Sequence, residues 1–161
     1  MQKQTQLSVF LRNVPGELGR LAELMAKGNI NILAMSIQNA AHYIQKMFEA
    51  RGKAIKRTAS AACYGSVIKE AKQYSLIRML VDETDRAQEA LLAAGYWVNT
   101  SEVIVMKLEN RPGTLAKISK SFGDAGININ YVYGSGASEE ETAIYVFHVP
   151  NADEALKALG G

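Results

Sequence analysis

Two asparagines, each followed after one residue by Pro-Gly, are the residues best suited to bind a small charged molecule. Asn13-Val14-Pro15-Gly16 recurs 97 residues later as Asn110-Arg111-Pro112-Gly113. Each copy follows a strand-like apolar stretch and precedes apolar residues at helical spacing. The turn therefore leads into a helix N-terminus, where free N–H groups and the positive end of the helix dipole favour a carboxylate.

The asparagine side chain completes a possible site for a zwitterion. It offers one acceptor oxygen and two donor hydrogens, so the turn could bind a carboxylate through N–H groups and an ammonium through oxygens. The alternative is that Asn13 and Asn110 only cap the following helices and that Pro-Gly is only a turn. The motif recurs in step with Asn31 and Asn128, which favours binding.

The repeat extends beyond the turn and indicates two related domains. Ile30-Asn31-Ile32 matches Ile127-Asn128-Ile129, and Asn29 matches Gly126. Asparagine and glycine are the residues that best tolerate the left-handed geometry that ends a helix. We therefore predict equivalent helix ends in a first domain at residues 1–100 and a second at residues 101–161.

Apolar periodicity predicts the order of the elements. The first copy has strand patterns at 7–11, 30–37, 75–81 and from 96, with helical patterns at 18–25 and 87–94. The second copy follows the same order from 103 but ends after a helix at 152–159, which leaves no residues for a fourth strand. This β-α-β-β-α-β order predicts an α+β fold of two ferredoxin-like units.

Residues 41–73 form an insert that the second copy lacks. Its first part places Ala40, Tyr43, Ile44, Met47 and Phe48 at helical spacing, so we predict a helical insert between the second and third strands. Residues 42–73 contain seven basic and two acidic side chains. The segment could be a solvated packing element, the interpretation that charge runs favour, or an arm that docks a partner or forms a dimer.

Other functions have little support in the sequence. A net charge of +2, and strands in which Phe10 alone offers a ring for base stacking, argue against nucleic acid. No acid–base set, nucleophile or metal-ligand spacing is present, so we expect no catalysis, no cofactor and no metal. No apolar run approaches the ~20 residues of a membrane span, and a single Cys63 fits the cytoplasm.

The turn motif and the Gly-Ile-Asn-Ile stretch resemble the ACT domain, a small ligand-binding regulatory module. The resemblance covers residues 105–133 in the second copy, and 9–34 and 74–91 in the first. It implies amino-acid binding at the contact between paired ACT units, with the sheets side by side and no catalytic domain attached. The implied ligand-binding residues are Asn13, Val14, Pro15, Gly16, Leu18, Asn31, Asn110, Arg111, Pro112, Gly113, Leu115 and Asn128.

We therefore expect a non-catalytic regulatory protein that binds a free amino acid and acts on a protein partner. The alternative is a docking or oligomerisation protein that acts through the basic insert. The second unit lacks a fourth strand, so an edge of the strand at 103–108 is left without its usual partner. Some cover could come from the first copy, whose last strand runs almost directly into this one. Folded proteins cover such edges, and a symmetric dimer is the commonest way to do so. We expect a homodimer.

Overall fold

The computed structural model describes residues 1–39, 72–136 and 142–160. The predicted α+β class is confirmed, and the predicted insert lies outside the described residues except for its last two. The described elements, in chain order, are β1 (Gln2–Arg12), α1 (Glu17–Lys27), β2 (Ile32–Asn39), β3 (Tyr74–Val81), α2 (Thr84–Ala93), β4 (Trp97–Glu109), α3 (Thr114–Asp124), β5 (Tyr131–Gly134), β6 (Thr142–His148) and α4 (Ala152–Ala158).

The six described strands form one antiparallel sheet in the order β2-β3-β1-β4-β6-β5. We call β1 to β3, α1, α2 and the first half of β4 the first unit. The second half of β4 with α3, β5, β6 and α4 is the second unit. The units are thus joined side by side through hydrogen-bonded strands.

Strand β4 is a single strand where the sequence pattern indicated two. Its first half lies beside β1, with Trp97 opposite Phe10, and its second half lies beside β6, with Glu109 opposite Thr142. The predicted boundary between residues 100 and 101 falls inside this strand. Both units therefore share one continuous backbone element.

Strand β1 is also longer than the pattern predicted, because it includes the polar residues 2–6. These residues lie opposite 105–101 of β4, beside the second unit. Lys3 reinforces this contact through ion pairs with Glu102 (3.0 Å) and Asp153 (2.8 Å). The first half of β1 therefore occupies the position that a fourth strand of the second unit would take.

Each unit packs its helices against one face of the sheet. In the first unit Leu7, Val9 and Ile77 meet Leu21 and Leu91. In the second unit the rings of Phe122 and Phe147 lie 5.2 Å apart in the corresponding core. Burying one such large apolar side chain contributes about 1.5–3 kcal/mol.

A third buried cluster joins the helix-free faces of the two units. It contains Ala34 and Leu80 from the first unit, Val103 and Val105 from β4, and Val146 from the second unit. The sheet is therefore curled until its edge strands β2 and β5 contact each other. The units meet across this interior as well as through the backbone of β1 and β4.

The predicted helix ends are confirmed. Asn29 follows α1 with φ 51°, and Gly126 follows α3 with φ 72°. Asn29 is the single described non-glycine residue with a positive φ. The two copies therefore end their first helices at the same position with the two residues that tolerate this geometry.

Candidate functional site

The two Pro-Gly turns have nearly identical backbone geometry. Gly16 and Gly113 are the N-caps of α1 and α3, both left-handed at φ 91° and 87°. Because glycine has no side chain, the N-cap residue itself makes no capping bond to either helix. Each turn therefore leads into a helix whose N-cap residue leaves the first N–H groups to other partners.

Asn13 is tied to the segment that enters β3. Its backbone N–H donates to the carbonyl of Gln73 at 2.7 Å, and its side-chain Nδ2 donates to the carbonyl of Lys72 at 3.3 Å. Val14, Pro15 and Gly16 are exposed. The turn is anchored at its first residue and open to solvent at the residues that follow.

The second turn is braced by its own backbone. The N–H of Arg111 donates to the carbonyl of Glu109 at 2.9 Å, and the N–H of Thr114 donates to the carbonyl of Arg111 at 3.2 Å. Asn110 is half-buried, whereas Arg111, Pro112 and Gly113 are exposed. The two turns are thus held in similar shapes by different contacts.

Leu18 and Leu115 are structurally equivalent. Each lies in the first turn of its helix, and each is 39% exposed. An apolar side chain exposed at this place beside polar N–H groups could contact the apolar part of a ligand. This position supports their place in the predicted site.

The electrostatics of the two turns differ. Helix α1 begins with Glu17, whose carboxylate is bound by Arg20 at 2.7 Å. Helix α3 has no acidic residue in its first turn, and the turn before it carries Arg111. The Nε atom of Arg111 lies 3.5 Å from a carboxylate oxygen of Glu109. A carboxylate ligand would meet less repulsion at the second turn.

Asn31 and Asn128 are exposed, and each has a local partner. The backbone N–H of Asn31 donates to Oδ1 of Asp82 at 2.9 Å, and the N–H of Asp82 donates to the carbonyl of Asn31 at 3.2 Å. The side-chain Nδ2 of Asn128 donates to Oδ1 of Asn130 at 3.4 Å. The first asparagine is therefore fixed through its backbone and the second through its side chain.

The two Pro-Gly turns do not form one site. They follow opposite ends of the paired strands β1 and β4, because Phe10 lies opposite Trp97 whereas Gln2 lies opposite Val105. Asn13 and Asn110 are therefore parts of two separate candidate sites, one in each unit.

Sequence reasoning missed a buried polar cluster between the units. Gln6 is fully buried; its Nε2 donates to Tyr131 at 2.8 Å, and its Oε1 accepts from Tyr133 at 2.9 Å. The guanidinium of Arg78 lies 4.3 Å from the ring centre of Tyr131. The one signal in the sequence was the spacing of the two tyrosines, which places them on the same face of a strand.

His148 extends this cluster towards Asn128. Its ring stacks on Tyr131 with centres 4.6 Å apart, and its Nδ1 lies 3.0 Å from Nδ2 of Asn130. Burial and the nearby Arg78 lower the pKa of His148 below its usual 6.5. Burial raises the pKa of Tyr133 above its usual 10.

The described part of the chain contains neither a cluster of metal ligands nor a membrane-spanning helix. Residues 1–39, 72–136 and 142–160 contain no cluster of three side chains that could hold a metal ion. Among the helices of these residues, none is long and apolar enough to cross a membrane.

Comparison with known proteins identifies the family. The profile of the ACT domain pair matches residues 49–159, more than half of the chain. The chain therefore belongs to the ACT domain pair family, and the resemblance drawn from the sequence is confirmed. No curated protein sequence matches the chain.

Solved structures with the same fold span nearly the whole chain. Protein BT0572 from Bacteroides thetaiotaomicron is 26% identical to this chain and has a TM-score of 0.70. The match covers 98% of this chain and 87% of that protein. The ligand-free regulatory subunit of aspartate kinase from Thermus thermophilus is 14% identical, with coverage of 99% and 93% and a TM-score of 0.58. The corresponding subunit from Thermus flavus is 15% identical, with coverage of 99% and 94% and a TM-score of 0.54.

Proposed function

We propose that this protein is a non-catalytic regulatory protein that binds a free amino acid at the contact between ACT units. The observation that carries the proposal is the repeated turn, in which a left-handed glycine without a side chain is the N-cap of each helix. The N–H groups of such a helix start suit a carboxylate. The asparagine that precedes each Pro-Gly can supply oxygen to an ammonium group.

The proposed binding residues keep the set named from the sequence. Asn110, with Arg111, Pro112, Gly113 and Leu115, forms one site together with the equivalent asparagine, Asn31 or Asn128, of a paired unit. Asn13, with Val14, Pro15, Gly16 and Leu18, forms the other site in the same way. We expect the second turn to bind more tightly, because Glu17 places a carboxylate beside the first turn and α3 starts without one.

The proposed mode of action is regulation of a protein partner by a homodimer in the cytoplasm. The Thermus proteins of similar fold are regulatory subunits of aspartate kinase. At 14% and 15% identity these likenesses support the fold alone. The proposal therefore names a class of ligand and leaves the regulated partner as a protein of unspecified identity.

A second candidate function is docking or oligomerisation through the basic insert at 41–73. It is favoured by one specific observation, the seven basic and two acidic side chains within residues 42–73. The two candidates differ in one testable respect. Replacing residues 41–71 by a short Gly-Asn turn keeps Lys72 and Gln73, whose carbonyls hold Asn13. This replacement should leave amino-acid binding intact under the first proposal and abolish partner capture under the second.

The deciding experiment is calorimetry with each of the standard amino acids at millimolar concentration. At least one should bind saturably, and at a hundredfold excess over its Kd it should stabilise the protein by about 2.7 kcal/mol. The same titration on Asn110→Ala tests the site. Absence of binding by every amino acid would overturn the sensor proposal and leave docking as the better candidate.

A further inference from the structure

A continuous set of side-chain contacts runs from Asn128 in the second unit to β2 in the first. We propose that Asn130, His148 and Tyr131 are positioning residues for Asn128, and that Gln6 and Arg78 couple this site to the first unit. Ligand binding at Asn128 would then be transmitted to the β2–β3 pair. The inference rests on the proposed function, because Asn128 is a proposed ligand-binding residue.

The first contacts have a defined polarity. Oδ1 of Asn130 accepts from Nδ2 of Asn128, so Nδ2 of Asn130 faces Nδ1 of His148 at 3.0 Å. An amide nitrogen can only donate, so this orientation of Asn130 matches a neutral His148 ring whose Nδ1 accepts and whose Nε2 carries the proton. The proton on His148 and the orientation of the Asn130 amide are therefore linked.

The next contacts cross between the units. His148 stacks on Tyr131 with an angle of 10° between the rings, and Tyr131 accepts a hydrogen bond from Gln6 of β1. Gln6 also donates to Ser8 at 3.2 Å and accepts from Tyr133. Because Gln6 is fully buried, loss of these bonds would leave polar groups without water, and the arrangement is strongly favoured over its alternatives.

Arg78 links Tyr131 to the edge strand β2 of the first unit. Its guanidinium lies over the ring of Tyr131, and its Nη1 donates to Oε1 of Gln38 at 3.2 Å. Arg78 lies in β3, and Gln38 is the residue before the last one of β2. A displacement of Tyr131 would therefore alter contacts of both strands.

Protonation of His148 should disrupt its contact with Asn130. The charged and titratable groups that face the ring are the guanidinium of Arg78 and the phenol of Tyr131, so a proton on His148 would bring two positive charges together. Protonated Nδ1 becomes a donor and would face the Nδ2 donor of Asn130. The amide of Asn130 would have to turn over, and its Nδ2 would then face the Nδ2 of Asn128.

The first test needs no ligand and compares two substitutions in β1. Gln6→Met keeps the length of the side chain and removes both bonds to the tyrosines, whereas Gln4→Met changes a half-buried residue of the same strand. The readout is hydrogen exchange of the Asn130 N–H, which donates to the carbonyl of His148 at 2.9 Å. Gln6→Met should accelerate this exchange about tenfold, and Gln4→Met should leave it near the wild-type rate.

Equal rates in wild type and Gln6→Met would overturn the coupling. So would equal acceleration in both variants, since that would indicate general loosening of β1. This arm stands even if no amino acid binds, so failure of the coupling and failure of the proposed function are distinguishable.

The second test uses the standard amino acid that binds the wild-type protein. Its Kd is measured between pH 7.5 and pH 5 for wild type, His148→Phe and His148→Gln.

Wild-type affinity should fall on acidification. His148→Phe keeps a ring against Tyr131 but removes the acceptor, so its affinity should be about tenfold weaker at pH 7.5 and independent of pH. His148→Gln offers an uncharged acceptor and should restore affinity without restoring the pH dependence. A wild-type Kd that does not change with pH, or a His148→Phe profile like that of wild type, would contradict the positioning role.

Discussion

Gln2 lies opposite Val105 at one end of the paired region of β1 and β4. From this pair to the Gln6–Ser101 pair, the first residues of β1 lie beside the second unit. They cover part of the β4 edge that the sequence analysis expected to lack its usual partner. A dimer is therefore not needed to cover this part of the edge.

Removal of residues 1–5 should destabilise the second unit. The truncation would expose the backbone of β4 between 102 and 105 and remove the ion pairs of Lys3 with Glu102 and Asp153. We expect a lower melting temperature and faster hydrogen exchange in 102–105. Removal of Gly160 and Gly161 serves as the control. Unchanged exchange in β4 after the N-terminal truncation would show that this half of β1 contributes little.

The homodimer remains a prediction. The apolar stripe predicted for the insert needs burial, and symmetric dimers are the commonest assemblies. Light scattering at micromolar concentration should give the mass of two chains. The mass of a single chain at every dilution would contradict the prediction.

Gly16→Ala should destabilise the protein, whereas Gly19→Ala should not. Gly16 has φ 91°, and neither glycine has an atom within 4 Å of an added Cβ. The Gly16 change therefore costs about 1–2 kcal/mol through the backbone alone, whereas Gly19→Ala in α1 should stabilise by about 0.5–1 kcal/mol. Chemical denaturation of both variants measures the difference. Equal stabilities would show that the turn relaxes out of the left-handed geometry.

Asn110→Ala and Asn13→Ala should weaken amino-acid binding by about 1–3 kcal/mol, because a polar group of the ligand is left unpaired. Binding is measured by calorimetry and stability by thermal melting. Asn151→Ala is the matched control, because Asn151 does cap its helix by accepting from the N–H of Glu154 at 3.1 Å. That change should cost about 1 kcal/mol of stability and leave binding unaltered. The reverse pattern, with Asn110→Ala lowering stability but sparing the ligand, would reassign Asn110 to structure.

Stability should decline above about pH 10, partly because of Tyr133. Burial raises its pKa in the folded state, so the unfolded chain loses the phenol proton first. The stabilising difference is fully present below the unfolded pKa and is lost as pH rises towards the folded value. Tyr133→Phe should flatten this decline and cost about 1 kcal/mol at neutral pH through the lost bond to Gln6. Tyr74→Phe, at an exposed tyrosine, should keep the wild-type slope. Identical alkaline slopes in wild type and Tyr133→Phe would exclude the contribution.

The local features of the fold were predictable because they depend on neighbouring residues. Apolar spacing located α1 through Leu21 and Met25, both buried, and backbone tolerance located the helix ends at Asn29 and Gly126. The turn geometry at Gly16 and Gly113 also follows from residue type. These signals act within a few residues of chain.

The contacts between the units were not predictable from the sequence. Gln6 lies in a polar run and reads as a solvated residue, yet it is fully buried against Tyr131 and Tyr133. Its burial depends on residues more than a hundred positions away, and no local pattern encodes that pairing. For the same reason the extension of β1 through residues 2–6 was missed, since its partner strand and not its own composition makes it a strand.

The shared strand β4 limits how the two halves of the molecule can move. A flexible linker would let each unit move as an independent rigid body. Here the covalent connection is itself a strand of the sheet, and it belongs to both units. A hinge at that point would have to break inter-strand hydrogen bonds. A conformational change that passes from one unit to the other must therefore be a small twist or shear of the sheet that both units share.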